Sequence, residues 1–95
     1  MIIESDIGYD IFDETWKKPS LIWGNHGYNN SDPSMRPVFI AYGPSFKQSY
    51  TLPDQFENVD LYPLFNHLLG IQKVAPNNGT FALTRRVLKG EPDRY

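Results

Sequence analysis

The residues best suited to chemistry stand together in Trp23-Gly24-Asn25-His26-Gly27-Tyr28-Asn29-Asn30. The preceding apolar run, Leu21-Ile22-Trp23, predicts a short strand that ends in this turn. Glycine at positions 24 and 27 lets the backbone take positive φ and come close to a ligand or ion. A neutral imidazole is both a metal ligand and an acid–base group near neutral pH. At the rim of a sheet it would sit where α/β proteins tend to bind ligands. A histidine that merely caps a surface turn fits the same residues, and on this stretch alone both readings stand.

A zinc site needs three or four protein ligands, and a catalytic one keeps a position open. The chain has two histidines, His26 and His67, and eleven carboxylates in no spacing that commits them to a metal. His67 lies away from the leucine face of a predicted helix and reads as solvated. Asp32 is either a loop ligand or a turn former, with the turn favoured. Ser34, Ser45, Thr51 and Thr80 lack a nucleophile elbow or a paired base. Gly43-Pro44-Ser45 lacks the glycines and the Lys-Ser/Thr ending of a phosphate loop. Tyr28, Tyr42 and Phe46 could flank a ligand, but core packing explains them as well. The segment therefore offers one candidate metal ligand, His26, and no catalytic or cofactor-binding residue of its own.

The elements that would position His26 are few. Met1 to Glu4 is an apolar start suited to a strand, and Asp6-Ile7-Gly8-Tyr9 is a turn. Pro37 to Tyr42 is a continuous apolar run that predicts a strand covered on both faces. Leu61, Leu64, Phe65, Leu68 and Leu69 recur at helical spacing, which predicts a helix over about 60–70. Asp60 is the expected N-cap, Pro63 falls in the first turn where its missing N–H costs nothing, and Gly70 is the expected left-handed stop. Residues 81–89 suit a short helix or strand, and 90–95 a tail or linker start.

Ninety-five residues suffice for one small domain, and the 15% aromatic content is that of a globular chain rather than a disordered one. A net charge of −2 without a basic cluster argues against nucleic-acid or anionic-membrane binding. With no cysteine there is no disulfide framework. No apolar run spans a bilayer, and the N-terminus does not read as a signal peptide. The loops are long beside the usual median of about 4–6 residues, and one helix cannot cover both faces of the Pro37–Tyr42 strand. The segment reads as part of a larger α/β domain.

Several blocks, in order, resemble the ectonucleotide pyrophosphatase/phosphodiesterase family of the alkaline phosphatase superfamily. They are Gly24-Asn25-His26-Gly27-Tyr28-Asn29-Asn30, Ser34-Met35, Ala41-Tyr42-Gly43-Pro44-Ser45-Phe46-Lys47, Phe56-Glu57-Asn58-Val59-Asp60-Leu61-Tyr62, Leu68-Leu69-Gly70-Ile71 and Ala75-Pro76-Asn77-Asn78-Gly79-Thr80. The match covers about residues 2–89 and corresponds to the C-terminal part of that family's catalytic domain.

The resemblance implies a fragment of an alkaline-phosphatase-like α/β domain and a two-zinc hydrolase of phosphodiester or pyrophosphate bonds. His26 matches a zinc-ligating histidine of the family. The other ligands and the threonine nucleophile lie upstream of the matched region, so the isolated chain is expected to be inactive. A small nucleotide or phosphodiester substrate and an extracellular or cell-surface location are implied as well. That location makes Asn78, in Asn78-Gly79-Thr80, the better of two glycosylation candidates; a glycan on Asn29 would crowd His26. The sequence departs from many members at Asn29, where they carry Asp, and at Asn66, where they carry Cys. A non-catalytic relative or interaction module retaining part of the fold is the alternative.

Overall fold

The computed structural model describes residues 1–12, 15 and 24–93. The chain forms two compact units, Met1–Phe39 and Ile40–Tyr95.

The described residues of the first unit form turns. Tyr9 donates its backbone N–H to the Asp6 carbonyl at 3.0 Å, with Gly8 at φ +87° closing the turn. A 3-10 turn over Pro33–Met35 is capped by Asp32, whose carboxylate accepts the Ser34 N–H at 2.8 Å. Asp32 is thus a turn former: its side chain does locally what a backbone carbonyl would do in the next turn.

The second unit holds the core. A 3-10 turn over Asn58–Asp60 leads directly into α1, Leu61–Leu69. Gly70 ends the helix in the left-handed conformation (φ 66°, ψ 29°), as its place after the last leucine predicts. Leu64 is fully buried, and it clusters with Val87 and Leu88. Phe46, Tyr50, Leu52, Leu61, Leu68 and Phe81 pack around that cluster. The segment over 81–89 takes both predicted forms in part. Thr84–Val87 is a 3-10 turn, and Leu88 pairs antiparallel with Phe46 in a single bridge. Residues 91–93 are tied back by ion pairs, Glu91 to Arg85 at 3.3 Å and Asp93 to Lys47 at 2.6 Å.

Three expectations need correction or restriction. Pro37–Tyr42 and Met1–Glu4 form no strand: beyond the one bridge, the described residues contain no sheet. A strand exists only where a neighbour satisfies its N–H and C=O groups, and no described segment offers one. Val38, Ile40 and Tyr42 stand 82%, 84% and 96% exposed, the opposite of a covered strand. The described residues therefore show helical elements and loops. The expected strand Leu21–Trp23 lies outside the described residues. Asp60 holds the N-cap position of α1, as expected, but its backbone is helical (φ −72°, ψ −13°) and its side chain makes no capping bond to that helix. The carboxylate instead caps the preceding 3-10 turn, accepting the N–H of Glu57 at 3.1 Å in the reciprocal spacing of a capping box.

Candidate functional site

His26 stands exposed on the first unit, at the edge of an open recess of about 350 Å³. Its turn is fixed from within. The Asn25 side-chain oxygen accepts the His26 backbone N–H at 2.9 Å, and Gly27 holds φ +86°. A side chain at Gly27 would meet no atom, so the glycine is there for its backbone angle and not for space.

Two carboxylates tie this turn to the N-terminal segment. Asp10 accepts the Asn25 side-chain N–H, and the Tyr28 hydroxyl donates to the same Asp10 oxygen at 3.3 Å. The Asn29 amide donates to Glu4 at 3.3 Å. Glu4, Asp10, Asn25, His26 and Tyr28 all line the recess. The sequence reading singled out His26 and Tyr28 but not Asp10 or Glu4. No local spacing could reveal them, since Asp10 lies 15 residues from Asn25 and Glu4 lies 25 from Asn29.

These groups do not amount to a metal centre. Among the described residues, no group of three or more His, Asp, Glu or Cys side chains could hold a metal ion. One imidazole supplies one of the three or four donors that zinc requires. The geometry instead presents His26 outward on a braced turn, with Asp10 and Glu4 engaged in bracing.

The other candidate positions are dispersed. Asp32 accepts the Ser34 hydroxyl at 2.6 Å as well as its N–H. The Ser34 hydroxyl first, and the N–H second, hold its carboxyl below the usual carboxylate value. His67 is exposed, and its ring stacks on Phe81 with centroids 4.8 Å apart. Asn66 is 6% exposed, and its side-chain nitrogen finds no acceptor.

Asn78 is exposed at the tip of a turn whose geometry is set by its neighbour. Asn77 accepts the Gly79 N–H at 2.9 Å and donates to the Ala75 carbonyl at 3.0 Å. Asn29, by contrast, spends its carboxamide on Ser31 at 2.9 Å and on Glu4.

No family model and no solved structure matches the chain. Comparison with curated proteins is informative. The chain is 45% identical over 82 residues to the Bos taurus bis(5'-adenosyl)-triphosphatase ENPP4, and the match covers 82% of the chain and 18% of the relative. It is 41% identical over 88 residues to the Mus musculus counterpart, covering 93% of the chain and 18% of the relative. It is 50% identical over 66 residues to ectonucleotide pyrophosphatase/phosphodiesterase family member 3 of Bos taurus, covering 70% of the chain and 7% of the relative. The chain thus spans under a fifth of the length of these relatives. With matches this close over most of its residues, the chain belongs to the ectonucleotide pyrophosphatase/phosphodiesterase family.

Proposed function

We propose that this chain is part of a zinc-dependent phosphodiesterase or nucleotide pyrophosphatase, in which it supplies one zinc ligand, His26. The observation that carries the reading is the 45% identity over 82 residues to a relative named as a bis(5'-adenosyl)-triphosphatase. The exposure of His26 on a turn braced by Asn25 supports it: a ligand that completes a site built elsewhere has to be accessible. Zinc would bind and orient the phosphoryl oxygens of a nucleotide or other small phosphodiester. The remaining ligands and a threonine nucleophile would come from sequence outside these 95 residues, within an α/β catalytic domain of which this is the C-terminal portion. An extracellular or cell-surface setting follows from the same reading, with Asn78 as the glycan acceptor. No helix among the described residues is long and apolar enough to cross a membrane.

The test is His26→Ala in the full-length protein, with zinc content and turnover of a nitrophenyl nucleotide ester both measured. Loss of one zinc equivalent together with most of the activity is expected. Unchanged zinc and unchanged turnover would refute the assignment. A second reading is a non-catalytic relative that keeps part of the fold. The coding sequence upstream of Met1 separates the two, since only the enzyme requires an in-frame threonine nucleophile with Asp and His ligands.

A further inference from the structure

A second recess lies on the Ile40–Tyr95 unit and is independent of His26. The Phe46–Leu88 bridge is flanked by two backbone bonds, Lys47 N–H to Val87 at 2.8 Å and Lys89 N–H to Ser45 at 2.9 Å. This pairing brings two lysines, 42 positions apart in sequence, to one open hollow of about 450 Å³. Ser49, Tyr50 and Asp93 complete its lining with Gln48 and Gly90.

Four features of this hollow are unusual for a plain surface. The Lys47 side chain is only 18% exposed although charged, and its ammonium lies 4.6 Å from the centre of the Tyr50 ring. The Tyr50 hydroxyl is buried and interacts with the Arg86 guanidinium. Ser49, at φ 51°, is the one non-glycine with positive φ among the described residues. Strain of this kind tends to persist where the surroundings hold a binding geometry in place. Finally, the Lys47 ammonium is already met by an oxyanion, the carboxylate of Asp93 at 2.6 Å, while Asp93 itself is 68% exposed. No ion pair among the described residues engages Lys89.

We propose that this hollow is an oxyanion-binding site for a phosphate or sulfate group, with Lys47 and Lys89 as its charged arms and the Asp93 carboxylate as a built-in, displaceable occupant. Two lysines and one aspartate line the hollow, an excess of one positive charge in a chain whose formal net charge is −2. A lysine acts on a phosphate as a point charge and needs no bidentate geometry. A carboxylate as exposed as that of Asp93 gives way to an oxyanion of higher charge at modest cost. The hydroxyl of Ser49 can serve as a neutral donor.

The experiment titrates the full-length protein with inorganic phosphate at ionic strength held constant with chloride, following the backbone amides of Ser49, Lys89 and Gly90 by NMR. Saturable shifts confined to these positions are expected. Lys89→Ala, at an exposed position, is expected to weaken binding roughly tenfold, the scale of one lost charge-assisted contact. Asp93→Asn is expected to tighten it several-fold, because the internal competitor is gone. Lys47→Arg keeps the charge at the half-buried position and is expected to retain binding, and His26→Ala is expected to leave the response unchanged. A matching response to sulfate marks a general oxyanion site, and a response to phosphate alone marks a phosphoryl site. Shifts that chloride reproduces, shifts that survive Lys89→Ala undiminished, or weaker binding in Asp93→Asn would each overturn the proposal.

Discussion

The Asp60 carboxylate accepts the backbone N–H of Thr80 at 2.7 Å, across 20 residues of chain. Its other oxygen accepts the N–H of Glu57 at 3.1 Å, and the residue is 7% exposed. One buried anion therefore holds together the start of α1 and the turn that carries Asn78. The helix gains a donor satisfied at its beginning, and the Asn77–Thr80 turn gains an anchor that its own residues lack. A buried carboxylate is tolerated only when its lone pairs are met, and here backbone donors meet both oxygens.

Asp60→Ala is accordingly expected to destabilise the Ile40–Tyr95 unit by about 2 kcal/mol, the scale of hydrogen bonds to a charged acceptor. Asp60→Asn should cost less, because one oxygen remains, although its amide would confront the Glu57 N–H donor. Urea denaturation followed by far-UV circular dichroism of the full chain measures both. A cost for Asp60→Ala no larger than for an exposed Asp without a side-chain partner, such as Asp6→Ala, would remove the anchor from the account.

Gly79 is confined for a different reason from Gly70. A Cβ at Gly79 would lie 2.8 Å from the Val59 carbonyl carbon and 2.9 Å from Pro63 Cδ, closer than real contacts allow. At Gly70 a Cβ would meet nothing, and only the positive φ of 66° objects. Gly70→Ala should therefore cost about 1 kcal/mol, the penalty of the left-handed backbone. Gly79→Ala should cost about 2 kcal/mol or more, because backbone has to move. Equal denaturation midpoints for the two variants would contradict this ranking.

What could be read from the sequence divides along the same physical line. Helix α1 was legible because Leu61, Leu64 and Leu68 repeat at its period and Gly70 stops it, both local signals. The part played by Asp60 was legible only as a helix-start signal, since its main partner lies 20 residues away. The Pro37–Tyr42 run reads as a covered strand because its composition records an environment; its present exposure records the lack of that environment. At the candidate site, Gly24, His26 and Gly27 announced a turn, and Gly27 takes the positive φ such a turn calls for. Asp10 and Glu4, which brace it, were invisible because they arrive from a segment without periodicity.

The Asp32 turn gives a pH prediction whose sign is fixed by its donors. The Ser34 hydroxyl and N–H favour the charged carboxylate, so the folded pKa lies below the ordinary value of 3.8. The turn is then stabilised at every pH above that ordinary value and loses the contribution as pH falls through the lowered one. Asp32 side-chain carbon shifts should titrate below those of an unstructured aspartate. Ser34→Ala should move the midpoint back upward, part of the way, because the backbone bond at 2.8 Å remains. A midpoint unaffected by Ser34→Ala would mean the hydroxyl is not the main cause.

The two sequons should behave differently when the protein passes through the secretory pathway. An acceptor asparagine must offer a free, extended carboxamide to the transferase. Asn78 does so: it is exposed, and the hydrogen bonds that shape its turn are made by Asn77 instead. Asn29 is also exposed, but its oxygen is bound to the Ser31 N–H and its nitrogen to Glu4. Glycopeptide mass spectrometry should therefore find a glycan on Asn78 and an unmodified Asn29. Asn78→Gln should lower the mass by one glycan, whereas Asn29→Gln should leave it unchanged. Glu4→Ala removes one restraint on Asn29 and is expected to raise its occupancy above zero; full occupancy of Asn29 in the unaltered protein would show that these bonds do not persist during folding.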